Sequence, residues 1–474
     1  MIDFLREHAA KGSVSFHMPG HKGSAIFKKY GFGDLLEKIV DIDITEIPGA
    51  DNLFQGEGII KAVQDRYAGL YGARRSYLLI NGTSGGLIAS ILASAQAGGK
   101  LIMARNSHKS IFNALALGGL RPVYAYPEVD EEYGVAGRIE AKTIAELIGQ
   151  NPDAAAVILP SPNYYGICSD VAAIAETTHA AGKILIIDQA HGAHLKFFHR
   201  YGCGRGLPMA AEDCGADIVV NSVHKTLASL TQSAVLNLCS ARVDRYALED
   251  RLQAVQSTSP SYILMAFLDA NAKILEGHGA EAMKDWRENI DYFYGEAGKI
   301  PGLSLMGTES EHMDRTKINV SFRKLGIGGE RFERLLLEDN IFPELYTGEL
   351  LMLMTGIGNT REHMDRALAA MRRIAKNEAG KGEEEAIAAT VAMPGPGSLY
   401  EVPKTKEFVS LDEAVGLVCA GSVIPYPPGI PLICPGEEIT PEAVDYIKAL
   451  RGAGGKVIGL NDENRVLVGI EAKK

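Results

Sequence analysis

The 474-residue sequence predicts an α/β protein built on a mostly parallel sheet, followed by a smaller α+β domain and a carboxy-terminal module. Three observations lead there. Short, fully apolar runs near residues 77, 101, 122, 157, 184 and 218 alternate with helical patterns, and strands apolar on both faces belong to a parallel sheet covered on both sides. Polar residues follow those runs at the carboxyl ends of the strands, where open α/β sheets bind ligands. A hydrophobic content of 46% with 23% charge describes a globular chain long enough for two or three domains.

A net charge of −11, with no basic block, argues against a nucleic-acid surface and suits a small cationic substrate. Cys168, Cys203, Cys214, Cys239, Cys419 and Cys434 show no metal-ligand spacing, which reads as reduced packing residues in a cytoplasmic protein. The stretch Met1-Ile2-Asp3-Phe4-Leu5 lacks a basic region leading into an apolar one, and no apolar run reaches spanning length. No membrane attachment is expected.

Two Pro-Gly clusters mark the first 60 residues, Phe16-His17-Met18-Pro19-Gly20-His21-Lys22-Gly23 and Thr45-Glu46-Ile47-Pro48-Gly49-Ala50-Asp51-Asn52-Leu53. Both read as loops. Pro19 and Gly20 spoil the helical face on which His17 and His21 could share a metal, so no metal site is expected. Ile59, Ile60, Val63, Tyr67 and Leu70 then recur at helical spacing up to a stop at Gly72.

Next, a strand from Tyr77 to Ile80 runs into Asn81-Gly82-Thr83-Ser84-Gly85-Gly86 and at once into an apolar helix. Free N–H groups at such a helix start, beside the Thr83 and Ser84 hydroxyls, make a phosphate cradle. The run Leu101–Ala104 opens into Arg105-Asn106-Ser107-His108, and Val157–Pro160 ends in Ser161-Pro162-Asn163-Tyr164-Tyr165-Gly166.

Two further strand ends carry the chemistry. Ile184-Leu185-Ile186-Ile187 ends in Asp188, a carboxylate that can pair with a protonated pyridine nitrogen; Gln189-Ala190-His191 follows. Ile218-Val219-Val220 ends in Asn221-Ser222-Val223-His224-Lys225. There burial lowers an amine's pKa and prepares it for Schiff-base chemistry.

At this point the sequence resembles the fold type I pyridoxal-phosphate enzymes and, within them, the ornithine/lysine/arginine decarboxylase family in its short bacterial form. The resemblance makes Lys225 the Schiff-base lysine and Asp188 the ring-nitrogen partner, with pyridoxal 5′-phosphate as cofactor. It stacks His108 on the ring and brings Thr83, Ser84, Gly85, His191, Ser222 and His224 around the cofactor. Lys225, His108, His224 and Asp188 are the catalytic candidates.

The implied reaction is decarboxylation of arginine, lysine or ornithine to the amine through a carbanion that the ring stabilises. Another reaction on the same fold, transamination or β-elimination, is the alternative. Glu46, Asp51 and Glu437, with Glu344, are candidates for the substrate's distal cation because they lie in unusual loops. The chain departs from the family pattern at Asn163, where a hydroxyl residue is usual, and at Gln189, where Glu is usual.

The organisation expected is an amino-terminal segment 1–60, a cofactor-binding large domain 61–285, a small α+β domain 286–375, a connector 376–398 and a carboxy-terminal module 399–474. The proline-dense Ile424–Glu437 block of that module also matches the family. The resemblance further implies a homodimer or higher homo-oligomer with shared active sites, the loops of the first 60 residues approaching them.

Overall fold

A computed structural model describes residues 1–308, 310–378, 395, 397–426, 429–452 and 455–470. Most of the expected connector therefore lies outside the described residues. The large domain is organised by seven strands, β1 (Arg75–Leu79), β2 (Lys100–Ala104), β3 (Arg121–Ala125), β4 (Ala154–Pro160), β5 (Ile184–Asp188), β6 (Ile218–Asn221) and β7 (Ala234–Leu238). Their order is β1-β7-β6-β5-β4-β2-β3. Only β7 runs against its neighbours. The carboxyl ends of the other six strands therefore share one edge.

Alternation explains why these strands are apolar throughout. Leu101, Met103, Ala156, Ile158 and Ile186 enter one core, while Ile102, Ala104, Val157, Leu159, Leu185 and Ile187 enter the core on the opposite face. Helices α1 (Ile59–Tyr71), α2 (Gly82–Ser94), α3 (Lys109–Gly118), α4 (Ala141–Gln150), α5 (Val171–Ala180), α6 (Val223–Thr226) and α7 (Arg245–Val255) connect and cover them. Gly86 lets α2 lie close on the sheet, because a Cβ there would stand 2.5 Å from Leu79 Cδ1 and 2.9 Å from Val220 Cγ1.

A 36-residue helix, α8 (Tyr262–Ala297), leads out of this domain and buries Trp286 within it. The division expected between residues 285 and 286 falls inside this helix, since its buried face continues from one domain into the next. The small domain holds strands β8 (Ser304–Leu305), β9 (Lys317–Ser321), β10 (Leu345–Thr347) and β11 (Leu350–Met354), in the order β8-β9-β11-β10. Helices α9 (Gly329–Leu337) and α10 (Arg361–Glu378) complete it. The amino-terminal segment joins it, because Val14–Ser15 pairs in parallel with Ile341–Phe342.

The carboxy-terminal module has its own small core around Val423, Ile433, Val444 and Val468. Among the described residues no helix is long and apolar enough to cross a membrane.

Candidate active site

Asp188 ends β5, and Lys225 lies in α6, the single turn that follows β6. These strands are hydrogen-bonded neighbours, so register alone brings acid and amine to one place. Asp188 is 5% exposed; its carboxylate accepts a hydrogen bond from Ala190 N–H at 3.1 Å. Burial raises its pKa, opposed by the charge of Lys225 and by that N–H. Burial likewise lowers the pKa of Lys225, opposed by Asp188 and Glu344. Each group feels the other, and each resists ionising alone.

His191 completes the contact, its Nε2 lying 2.9 Å from Lys225 Nζ. Burial, then the charges of Lys225 and Lys317, hold its pKa well below the usual histidine value, so the ring is neutral. His108 and His224 are held at about 4, both chiefly by burial and with Lys225 adding to it. His108 caps α3, its Nδ1 accepting from Ser110 N–H at 3.3 Å. His224 Nδ1 donates to Ser233 O at 2.9 Å. One neutral imidazole thus touches the desolvated amine, and two more lie near enough to feel its charge.

Beside them the start of α2 meets the end of β6. The hydroxyls of Thr83 and Ser222 are 3.2 Å apart, and Ser84 and Gly85 follow Thr83 in the first turn of the helix. Asn106 Oδ1, Ser107 Oγ, Thr226 Oγ1 and His191 Nδ1 are buried with no hydrogen-bond partner among the described residues. Buried polar groups are normally satisfied. A buried acid lacking a direct cationic donor among the described residues, a helix start with hydroxyls, and unpartnered polar atoms just beyond the ends of β2, β5 and β6 fit a phosphorylated pyridine aldehyde.

The other wall comes from distant segments. Glu344, between α9 and β10, accepts from Tyr164 Oη at 2.6 Å and from Met18 N–H at 2.9 Å. Tyr164 leans on His191, ring centroids 4.5 Å apart. Lys22 donates to His17 O and, at 3.1 Å, to Met354 O; burial lowers its pKa to about 7, with Glu344 opposing. The first Pro-Gly cluster docks on α6, where Gly20 N–H donates to His224 O at 2.7 Å. Tyr164 and Lys22 had no role in the sequence reading, because only the fold brings them together. Their place in Pro-Gly and Pro-Asn loops was the available signal.

Of the candidate substrate acids, two are committed to the fold. The Asp51 carboxylate accepts from the N–H groups of Asn52, Glu57, Gly58, Ile60 and Lys61, tying the second cluster to α1. Glu437, 1% exposed, is forked by Arg105. Glu46 is exposed. Asn163 closes its own loop, accepting from Tyr165 and Ile167 and donating to Ala136 O. Gln189 donates to Glu212 and Asn221.

Beneath His191 lies a fully buried network. Lys317 Nζ donates to His191 O and to Asp314 Oδ2 at 2.7 Å. Asp314 Oδ2 also lies 3.1 Å from His194 Nε2. Lys317 begins β9, so this network binds the small domain to the Asp188 loop.

Comparison with known proteins agrees with this geometry. Residues 1–294 match the model of the Orn/Lys/Arg decarboxylase major domain, and residues 386–472 that of the corresponding C-terminal domain. The chain is 32% identical over 470 residues to an arginine decarboxylase of Bacillus subtilis strain 168, covering 97% of this chain and 94% of the relative. It is 23% identical over 569 residues to lysine decarboxylase LdcA of Pseudomonas aeruginosa, covering 94% and 75% respectively. Among solved structures, the constitutive lysine decarboxylase of Escherichia coli superposes with a TM-score of 0.74 at 20% identity, over 99% of this chain and 81% of that one. An L-threonine transaldolase from Pseudomonas fluorescens gives 0.59 at 16% identity, over 81% and 89%. The fold is that of the fold type I pyridoxal-phosphate enzymes.

Proposed function

The chain belongs to the Orn/Lys/Arg decarboxylase family, and from that premise we propose that it is a pyridoxal-phosphate-dependent decarboxylase of a basic L-amino acid, with arginine the first substrate to try. The observation that carries this is the desolvated Lys225 amine beside His191, one strand from the buried Asp188 carboxylate. Pyridoxal phosphate supplies, when bound, an electron sink for the pair left on Cα as CO₂ departs.

The residues of the chain do the rest. Lys225 Nζ, its pKa lowered by burial against the pull of Asp188 and Glu344, would be the amine that holds the aldehyde carbon. Asp188 would keep the ring nitrogen protonated, and Thr83, Ser84, Gly85, Ser222 and His224 would hold the phosphate. Such anchors would restrict rotation of the bound group, and so which Cα bond is set up to break, favouring loss of CO₂ over loss of a proton. His108, neutral, would cover the ring without pinning the departing carboxylate. Lys225 Nζ would take over a proton from the substrate's ammonium and return it to Cα, directly or by way of His224 Nε2.

Glu344 is the acid we assign to the distal cation. Unlike Asp51 and Glu437 it faces Tyr164, His191 and Lys225, and a carboxylate is the natural partner of a guanidinium or ammonium. A homo-oligomer with shared sites is part of the same proposal. The stretch holding Glu46 leaves Val40, Ile44 and Ile47 exposed at 82%, 37% and 54%, an apolar surface suited to a second copy. The six free cysteines fit a cytoplasmic location.

The test is borohydride reduction of the cofactor-loaded protein with mass mapping of the label, and parallel assay of CO₂ and 2-oxo acid from arginine, lysine and ornithine. A label on Lys225 with CO₂ released is expected. A label elsewhere, or 2-oxo acid without CO₂, overturns the reading.

A further inference from the structure

A buried ion pair ties the carboxy-terminal module to the loop that carries His108. Arg105 follows β2 directly, its N–H donating to Ala125 O at 2.8 Å. Its guanidinium donates to Glu437 through Nε (3.1 Å) and Nη2 (3.0 Å), to Pro431 O through Nη1 (2.7 Å) and to Leu432 O through Nη2 (3.0 Å). Cys434 N–H donates to the same carboxylate at 2.8 Å. Side-chain exposure is 6% for Arg105 and 1% for Glu437.

The guanidinium also lies over two rings of the large domain, Phe112 at 5.6 Å and Tyr124 at 5.4 Å. Phe112 belongs to α3, the helix whose amino terminus His108 caps. One side chain thus grips the start of the loop, the helix at its end, and three groups of the carboxy-terminal module. Between Arg105 and His108 the loop carries a backbone turn, Ser107 N–H donating to Ala104 O at 3.2 Å, while the side-chain atoms Asn106 Oδ1 and Ser107 Oγ are buried and unpartnered among the described residues.

We propose that Arg105 and Glu437 are a positioning pair through which the carboxy-terminal module sets His108 against the cofactor. The module then serves the active site without supplying a group that touches substrate or cofactor. This rests on the role given to His108 above. A buried ion pair is a poor device for stability alone, since two well-packed apolar side chains do as well or better. What a fork of fixed geometry adds is orientation.

That contrast supplies the experiment, made on the full chain. Glu437→Gln leaves a buried guanidinium facing an amide, and kcat is expected to fall about tenfold with KM within about twofold. In the same variant without cofactor, amide hydrogen exchange over residues 105–110 is expected to quicken by at least about tenfold. The double variant Arg105→Met with Glu437→Leu removes both charges together, so its melting temperature is expected to exceed that of Glu437→Gln even though Pro431 O, Leu432 O and Cys434 N–H lose these partners. Its kcat is expected to stay low and its 105–110 exchange fast.

If the double variant regains kcat and exchange protection along with stability, the pair is merely structural and the proposal falls. Should Glu437→Gln or the double variant fail to fold, Arg105→Lys decides, because it keeps the charge and loses the fork; unchanged kcat and exchange there overturn the proposal. Exchange in the cofactor-free chain tests the clamp without turnover. Unchanged kcat in His108→Gln removes the role of His108 and the proposal with it, while Lys225 labelling judges the enzyme reading separately.

Discussion

The two walls of the site are built in different ways. Thr83, His108 and Lys225 each lie four residues beyond a strand of the central sheet, Ser222 lies one beyond, and Asp188 is itself a strand end. Register in one sheet sets all five. Glu344, Tyr164, Met18 and Lys22 come instead from the small domain, a large-domain loop and the amino-terminal segment, and meet only because those pieces dock. The first wall is rigid by construction. The second, on the proposed reading, would be the one that meets the distal end of the substrate.

Substitutions should therefore separate the walls by kinetic signature. Lys225→Ala is expected to lower kcat by at least about 10³-fold with any substrate, since the nucleophilic amine is gone. Asp188→Asn should follow at about 10²-fold, also in kcat, because an amide cannot balance a ring N–H⁺. Steady-state kinetics on loaded protein checks both. Glu344→Gln should act on kcat/KM for a basic substrate by about 10- to 100-fold, the 1.5–3 kcal/mol of a charge-assisted hydrogen bond. A comparable loss in kcat alone would place Glu344 on the first wall and break the contrast.

The joint between the walls is Lys317, and there the effect is on stability. Lys317→Met leaves Asp314 buried with His194 and the Thr316 N–H but without its cation, and removing one partner of a buried pair costs about 3–5 kcal/mol. A lowered denaturation midpoint checks it.

What could be read from the chain follows the same line. Apolar runs ending in Asp188 and before Lys225 carry strand and polar residue in one short segment, so the fold class was visible there, along with the acid and amine that neighbouring strands bring together. Asp51 and Glu437 drew notice as acids in Pro-Gly loops, yet their carboxylates hold backbone N–H groups and Arg105. An unusual loop announces that a side chain is needed, not whether solvent, substrate or backbone needs it. Tyr164 and Glu344 are 180 residues apart in sequence and share one hydrogen bond. No local pattern encodes such a pair.

The smallest effect expected concerns pH. His108 and His224 are held at about 4 in the folded chain, mainly by burial, whereas an unfolded histidine titrates near 6.5. Between those values the unfolded chain binds more protons than the folded one, so folding stability falls as pH falls. Their contribution is complete above about pH 6.5 and is lost progressively toward about pH 4. Melting temperature of the cofactor-free chain should therefore drop across that window. Replacing both rings, His108→Asn with His224→Asn, should flatten the slope, because neither amide takes up a proton. Both histidines belong to the wall set by the sheet, so an equal slope in the double variant would mean that this wall is wetter than its burial implies and would weaken the contrast with the wall formed by docking.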